Sequence, residues 1–187
     1  MALRRRGMPL AIALSLLAAC ASDDGDGPDV PDIAWCEGVA SWESEWREDE
    51  LALLAAINER RAEGAICGSD EVFAATEPLT MDPALRCAAR VHSLDMAELG
   101  FVGGSSPDEL TPSDRAAMAG YEGSVLGQNV AAGHPEVDAL VESWMTSTGH
   151  CRNLMNAEAT QLGAGRYFSE DDVLERQHYW TVVLGAP

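Results

Sequence analysis

The sequence of 187 residues contains no lysine: its twelve basic residues are all arginines, set against 31 aspartates and glutamates. The formal net charge at pH 7 is −19. Proteins that bind nucleic acid or an anionic lipid surface use clusters of basic residues to neutralise phosphates. The composition therefore excludes a broad nucleic-acid interface, and the acidic balance favours solubility outside the cell.

The sequence also lacks the cysteine spacing of a structural zinc site. No C-x-x-C occurs, and the cysteines after Cys20 stand at least twenty residues apart. These four are Cys36, Cys67, Cys87 and Cys151. An even number of cysteines in an exported chain is typical of disulfide bonds, here two. Four cysteines allow three pairings, and their positions alone do not choose between them.

No apolar run reaches the roughly 20 residues that a membrane-spanning helix needs. The N-terminus instead carries three arginines at 4–6, an apolar stretch at 8–17, and then Leu-Ala-Ala before Cys20. This order resembles a bacterial lipoprotein signal. Residues 1–19 are therefore predicted to be a signal peptide, and Cys20 to be the lipidated residue. The alternative is an ordinary secretory signal in which the cysteine stands by chance.

Residues 20–34 are predicted to be a flexible acidic tether, because Asp, Gly and Pro dominate them. Residues 35–187 have the length of one domain. We therefore expect an exported protein whose lipid anchors it to a bacterial membrane, with the domain outside the cytoplasm. In lipoproteins of this kind, an aspartate after the cysteine favours the inner membrane. Ala21 stands there, which favours the outer membrane where the cell has one.

Hydrophobic periodicity in the remaining sequence predicts helices followed by strands. Four helices are expected, at about 48–63, from Pro83 to about 99 after an N-cap at Asp82, from Pro112 to about 119, and from Pro135 onward; two strands are expected at 162–168 and 179–184. His92 falls on the apolar face of the second helix, where a hydrogen-bonded core histidine is expected. Trp35, Trp42 and Trp46 are expected to form an N-terminal flap. This order predicts an α+β domain with helices packed on a small antiparallel sheet.

Ten short phrases follow one another between residues 51 and 185. They lie at 57–61, 78–82, 92–96, 106–108, 120–121, 127–133, 144–147, 149–153, 162–165 and 179–181. In this order they closely resemble the CAP superfamily, which includes cysteine-rich secretory proteins, insect antigen 5 proteins, plant pathogenesis-related proteins and many bacterial secreted proteins. The resemblance implies a compact α-β-α sandwich, in agreement with the helices and strands predicted above.

The resemblance also implies a cavity lined by two histidines and two acidic residues, which in some members binds a divalent metal. Gly104 stands at the position of the first histidine, and Gln128 and Ser147 stand at the two acidic positions. His150 is retained at the second histidine. A catalytic zinc site uses three protein ligands drawn from His, Cys and carboxylate. The sequence therefore predicts no metal and no cofactor, with His150 as the one candidate for a catalytic role.

These substitutions favour a non-catalytic binding or envelope-interaction module over an enzyme. We expect a monomer that meets the membrane through its N-terminal lipid and takes a lipid, small-molecule or protein ligand. The alternative is a hydrolase of a protease-like kind, or a metal-dependent activity, centred on His150. Ser147 lies at i, i+3 spacing from His150. However, Gln128 can hydrogen-bond but does not titrate as a general acid or base must.

For the disulfides, we expect Cys67 to pair with Cys151. This bond would join the loop after the first helix to the Gly-His-Cys segment beside the cavity. It leaves Cys36 to pair with Cys87. Cys20 is set apart from these four, since an acylated thiol cannot form a disulfide.

Overall fold

The computed structural model describes residues 29–187. The predicted signal peptide, Cys20 and the tether as far as residue 28 lie outside the described residues. Among residues 29–187, no helix combines the length and the hydropathy that spanning a bilayer requires.

The described part of the chain contains six α-helices and six strands. After a 3₁₀ turn at Ala34–Cys36, the helices are α1 (Glu37–Ala40), α2 (Ser44–Glu63), α3 (Pro83–Leu99), α4 (Pro112–Met118), α5 (Val137–Thr146) and α6 (Thr148–Leu154). The strands are β1 (Ala65–Cys67), β2 (Glu71–Phe73), β3 (Thr80–Met81), β4 (Ser124–Ala132), β5 (Gln161–Phe168) and β6 (His178–Ala186). Strands β1 and β2 form an antiparallel hairpin of their own.

The central sheet has the strand order β3-β5-β6-β4. Strand β6 pairs antiparallel with β5 and β4, while the two-residue β3 runs parallel to β5. Along β6, Trp180, Val182 and Leu184 join the core beneath α2, α5 and α6. Val183 joins the core beneath α3 and α4 instead, because alternate residues of a strand point to opposite faces. The predicted α+β class and α-β-α sandwich are confirmed.

Helix α3 lies very close to the sheet, because β5 presents two glycines to it. A Cβ added to Gly163 would lie 2.0 Å from the backbone carbonyl carbon of Leu85. One added to Gly165 would lie 2.4 Å from that of Ala89. Both distances are far below van der Waals contact, so any side chain here would push the helix away from the sheet.

Local signals set the ends of α3 and α4. Asp82 caps α3, its carboxylate accepting from the Leu85 N–H, and Gly100 ends the helix in the left-handed conformation. Thr111 and Asp114 form a capping box at the start of α4. The sequence placed these boundaries to within one residue.

Elsewhere the elements differ from the prediction. Helix α2 begins four residues earlier than expected, and α5 begins at Val137 rather than at Pro135. Strands β1 to β4 and helix α6 were not predicted. Strand β4 contains glycine and asparagine, which are rare in strands, and pairing with β6 determines its conformation. Ser147 has extended backbone between α5 and α6, and this breaks what periodicity suggested was one helix.

Arginine holds much of this structure together. Of the nine arginines in residues 29–187, five are buried; they are Arg61, Arg86, Arg90, Arg115 and Arg166. Arg61 donates to four backbone carbonyls, those of Glu77, Leu154, Asn156 and Ala159. Arg86 and Arg90 both bind the buried carboxylate of Glu50. The planar guanidinium supplies several fixed donors, which a lysine ammonium does not.

The N-terminal segment lies against α3. Asp29 binds Arg86 at 2.8 Å, Val30 is buried, and a disulfide joins Cys36 to Cys87. Residues 29–34, the described part of the predicted tether, therefore pack on the domain. Within the predicted flap, Trp42 and Trp46 pack edge-on at 5.1 Å between ring centroids.

Candidate functional site

Gly104 and Gln128 lie side by side where the loop after α3 meets β4. The Gln128 Nε2 donates to the Gly104 carbonyl oxygen at 3.1 Å. Arg115 of α4 donates to that same oxygen at 2.7 Å and to the Gln128 Oε1 at 3.0 Å. The positions that correspond to the family's first histidine and first acid are thus joined by a guanidinium.

Arg115 is fully buried at the centre of this arrangement. Its other amino group, Nη1, donates to the Ser106 hydroxyl at 3.0 Å and to the Leu110 carbonyl at 2.8 Å. Burial lowers the pKa of Arg115 to about 10, and nearby carboxylates, first that of Asp95, act in the opposite direction. Arg115 therefore stays charged at neutral pH and holds the loop that carries Gly104.

His150 and Ser147 lie at the start of α6. Ser147 occupies the N-cap position, although its side chain makes no capping hydrogen bond. The His150 imidazole packs edge-on against Trp144, with 6.3 Å between ring centroids. Burial lowers the pKa of His150, which favours the neutral ring. Within residues 29–187 the imidazole makes no hydrogen bond to Gln128 or Gly104. The four predicted residues therefore form two pairs that no side-chain hydrogen bond joins: Gly104 with Gln128, and Ser147 with His150 at the start of α6.

Two asparagines connect these pairs through the backbone. Asn129, the neighbour of Gln128 on β4, donates to the carbonyl of His150 at 3.1 Å. Asn153 of α6 donates to the carbonyl of Gln128 at 3.0 Å and to the Asn129 Oδ1 at 2.9 Å. Because alternate strand residues point to opposite faces, Gln128 faces α4 while Asn129 faces α6.

Sequence reasoning missed Arg115, Asn129 and Asn153. Both asparagines stand inside phrases that carried the family resemblance, at 127–133 and 149–153, so their position was a usable signal. Arg115 gave no such signal. Two of its four acceptors are backbone carbonyls, and every sequence supplies those.

A disulfide between Cys67 and Cys151 fixes the β1–β2 hairpin to α6 beside His150, with 5.6 Å between the Cα atoms. Gly68, at the start of the hairpin turn, lies directly against Thr148. Both predicted pairings, Cys67 with Cys151 and Cys36 with Cys87, are confirmed.

The other histidines lie inside the core or near the end of β4 beyond Ala132. His134 follows β4, and its backbone carbonyl accepts from the Trp180 indole N–H at 2.7 Å. His92 is fully buried, and its Nε2 lies 2.7 Å from the carbonyl oxygen of Gly103. This confirms the predicted core histidine. His178 stands five residues along β6 from Val183, the partner of Gln128, which is about 17 Å at the rise of a strand. His178 therefore cannot replace the missing ligands.

The residues present do not fit the divalent metal that the family resemblance implies. In residues 29–187, no group of three His, Cys, Asp or Glu side chains is arranged to hold a metal ion. The side-chain oxygen of Gln128 is already bound to a cationic guanidinium. A metal at Gln128 would have to displace this contact and stand next to a fixed positive charge.

Comparison with known proteins agrees with this fold. A family model described as the cysteine-rich secretory protein family, CAP, matches residues 54–184, well over half of the chain. The uncharacterized protein YkwD of Bacillus subtilis is 33% identical over 89 residues, which cover 48% of this chain and 35% of that protein. The uncharacterized membrane protein YlbC of the same bacterium is 30% identical over 83 residues, covering 43% and 24%. The matches thus span about a third and a quarter of these relatives.

Solved structures share the architecture at lower identity. An outer surface protein from Borrelia burgdorferi has a TM-score of 0.62 at 20% identity, covering 74% of this chain and 92% of that one. An extracellular protein containing an SCP domain from Bacillus anthracis has a TM-score of 0.61 at 23% identity, covering 75% and 41%. From the family match, this chain belongs to the CAP family, the cysteine-rich secretory proteins.

Proposed function

We propose that this protein works outside the cytoplasm as a lipid-anchored binding module of the cell envelope, without a catalytic centre of its own. The observation that carries this proposal is the pairing of Gln128 with Arg115. A general base must itself titrate near the working pH, which an amide does not, and a catalytic histidine needs a group that orients its ring. His150 has neither a carboxylate nor the amide of Gln128 within hydrogen-bond distance in the described residues.

What remains at the site is a neutral polar surface. The Gln128 amide, the Ser147 hydroxyl and a predominantly neutral His150 offer hydrogen bonds without a fixed charge, because the carbonyl oxygens and Gln128 surround the charge on Arg115. The amide and the hydroxyl orient a bound molecule but do not titrate near neutral pH. The His150 ring can titrate, but within residues 29–187 no carboxylate or amide partner holds it in a catalytic orientation. The arrangement therefore suits binding of a neutral polar or amphipathic molecule better than hydrolysis.

Two features support the placement outside the cytoplasm. The two disulfides are of the kind that persists in oxidising compartments. The Leu-Ala-Ala-Cys sequence ending at Cys20 supports a lipid anchor. Because Asp29 is bound to α3, only nine residue steps separate it from Cys20. The anchor would therefore hold the domain within about 30 Å of the bilayer.

The absence of catalysis is tested on protein purified from cells that express the full chain. We expect chelator-washed wild type, His150→Ala and the control His134→Ala to retain no stoichiometric zinc by mass spectrometry. We also expect all three to leave a mixture of secreted proteins with the same peptides after incubation. Zinc binding or peptide cleavage that is present in wild type and His134→Ala, but lost in His150→Ala, would establish the hydrolase or metal alternative.

The anchor is tested by growing cells with an alkyne-bearing fatty acid. Wild type is expected to take up the label and to sediment with membranes, and Cys20→Ser is expected to do neither. If wild type takes up no label and is released as a soluble protein, residues 1–19 act as an ordinary secretory signal and Cys20 is not lipidated.

A further inference from the structure

An exposed apolar surface lies where the β5–β6 loop meets the C-terminal end of α3. Its members are Leu99, Val102, Val173 and Leu174, whose exposed fractions are 58%, 47%, 79% and 38%. Val173 lies against Gly100, since a Cβ built there would be 3.9 Å from the Val173 Cβ. We call these four side chains the apolar patch. Single exposed apolar residues are common, but several that the fold brings to one place indicate an interaction surface.

The loop that carries Val173 and Leu174 is held in a fixed conformation. The Asp172 carboxylate accepts from the backbone N–H groups of Leu174 at 3.0 Å and Gln177 at 2.8 Å, and from the buried Tyr179 hydroxyl at 2.6 Å. The turn that these hydrogen bonds hold therefore keeps Val173 exposed to solvent. A loop whose backbone is already ordered loses little conformational entropy when a partner covers it.

The backbone of this loop adopts a conformation that residues with side chains rarely take. Glu175 and Gln177 have φ values of 56° and 63°, in the left-handed region. Such conformations persist only where the surroundings impose them, and the bonds to Asp172 do so here.

Exposed acidic residues flank the members of the patch in the chain. Glu98, Glu170, Asp171 and Glu175 are all exposed next to its members in the chain. Arg176 is the one cation of this loop, and its side chain lies against Gly133, with the Cδ 3.7 Å from a Cβ built there. With no lysine in the chain and five of the nine described arginines buried, little positive charge is left to offset these carboxylates.

We propose that the apolar patch docks a cationic amphipathic segment of a partner protein. The apolar side chains of that segment would cover Leu99, Val102 and Val173, while its lysines or arginines would meet the flanking carboxylates. Charge complementarity selects this occupant. An anionic bilayer, or a second copy of this chain, would instead bring like charges together around the patch.

The patch is tested with a synthetic 18-residue amphipathic helix made of leucine and lysine, and with a matched helix in which glutamate replaces lysine. Binding to protein from cells that express the full chain is measured by calorimetry. We expect the lysine peptide to bind and the glutamate peptide not to bind. The double variant Leu99→Ser/Val173→Ser is expected to weaken lysine-peptide binding at least tenfold. Both residues are exposed, so circular dichroism should show an unchanged fold.

The control removes two apolar side chains elsewhere. Ile66 and Val72 face each other across the β1–β2 hairpin and are 63% and 74% exposed. The variant Ile66→Ser/Val72→Ser is expected to bind like wild type. Equal weakening in both double variants would show non-specific apolar binding, and weakening in neither would show attraction by charge alone. Either result would overturn the proposal.

Other occupants of the patch are separate outcomes. Vesicle binding is measured with Cys20→Ser protein, which lacks the lipid anchor. Binding to phosphatidylcholine or phosphatidylglycerol vesicles that is lost when Leu99→Ser/Val173→Ser is added would make the patch a lipid surface and overturn the proposal. A dimer of the wild-type protein in analytical sedimentation that the Leu99→Ser/Val173→Ser variant does not form would also overturn the proposal. The variant His150→Ala should bind the lysine peptide normally, so this result stands or falls independently of the function proposed for the cavity.

Discussion

At the scale of single residues, His92 predicts how stability depends on pH. Burial first, and then the charge of Arg115, lower the pKa of His92 to about 4. In the unfolded chain its pKa is about 6.5. Between these values the unfolded state binds a proton that the folded state does not. Stability contributed by the neutral ring is therefore present above pH 6.5 and is lost as pH falls toward 4, by up to about 3 kcal/mol.

The measurement is urea unfolding at pH 7.0, 5.5 and 4.5 for wild type and His92→Gln. Glutamine can still donate to the Gly103 carbonyl but does not titrate. We expect the variant to lose less stability than wild type on acidification, so that the difference between the two proteins narrows at low pH. Two parallel profiles would show that His92 titrates normally in the folded state.

Single residues also show how far the sequence could predict the site. Gly104, Gln128, Ser147 and His150 could be assigned from neighbouring phrases alone. Which of them touch could not be predicted, because this depends on the face of β4 that each element meets. The bond between Gln128 and Arg115 requires α4 to pack against the face of β4 that carries Gln128. No pattern in the sequence encodes that approach.

At the scale of elements, the contact between α3 and β5 predicts a large effect of one methyl group. In Gly163→Ala the new Cβ would overlap the backbone of Leu85, so helix and strand must separate. We expect a loss of about 3 kcal/mol in the free energy of unfolding, measured in urea.

The control is Gly149→Ala in α6, where nothing lies within 4 Å of the added Cβ. There alanine should leave stability unchanged or raise it by up to about 1 kcal/mol. Equal effects at both positions would mean that α3 does not lie this close to β5.

The elements themselves were predictable where local signals agree with the final structure. Helix α3 has a capping aspartate, a proline at its first position and a glycine at its end, and it was predicted correctly. Strand β4 depends on pairing with β6, more than 40 residues away in sequence. Helix α6 is set apart from α5 only by the extended backbone at Ser147. Tertiary contacts decide both, and a local pattern does not contain them.

At the scale of the whole molecule, the lack of lysine goes together with a particular use of arginine. Arg61 and Arg115 hold backbone carbonyls inside the domain, and Arg86 and Arg90 share one buried glutamate. The described cations are thus used largely for internal structure, and the outer surface keeps its negative charge. The composition predicted that the surface is negatively charged. The internal role of the arginines could be seen only in the structure.

The two disulfides fix opposite sides of this molecule, and their separate removal tests the whole arrangement. Cys36–Cys87 ties the N-terminal segment to α3 and spans 51 residues, whereas Cys67–Cys151 ties the β1–β2 hairpin to α6 and spans 84. Because each bond restricts the unfolded chain, Cys67→Ala/Cys151→Ala and Cys36→Ala/Cys87→Ala should each lose roughly 3–5 kcal/mol in urea unfolding. The longer loop should cost slightly more. Non-reducing peptide mapping of each variant should still find the other bond. A variant as stable as wild type would mean that its disulfide is not formed in the exported protein, and an exchanged pairing would contradict this arrangement of the chain.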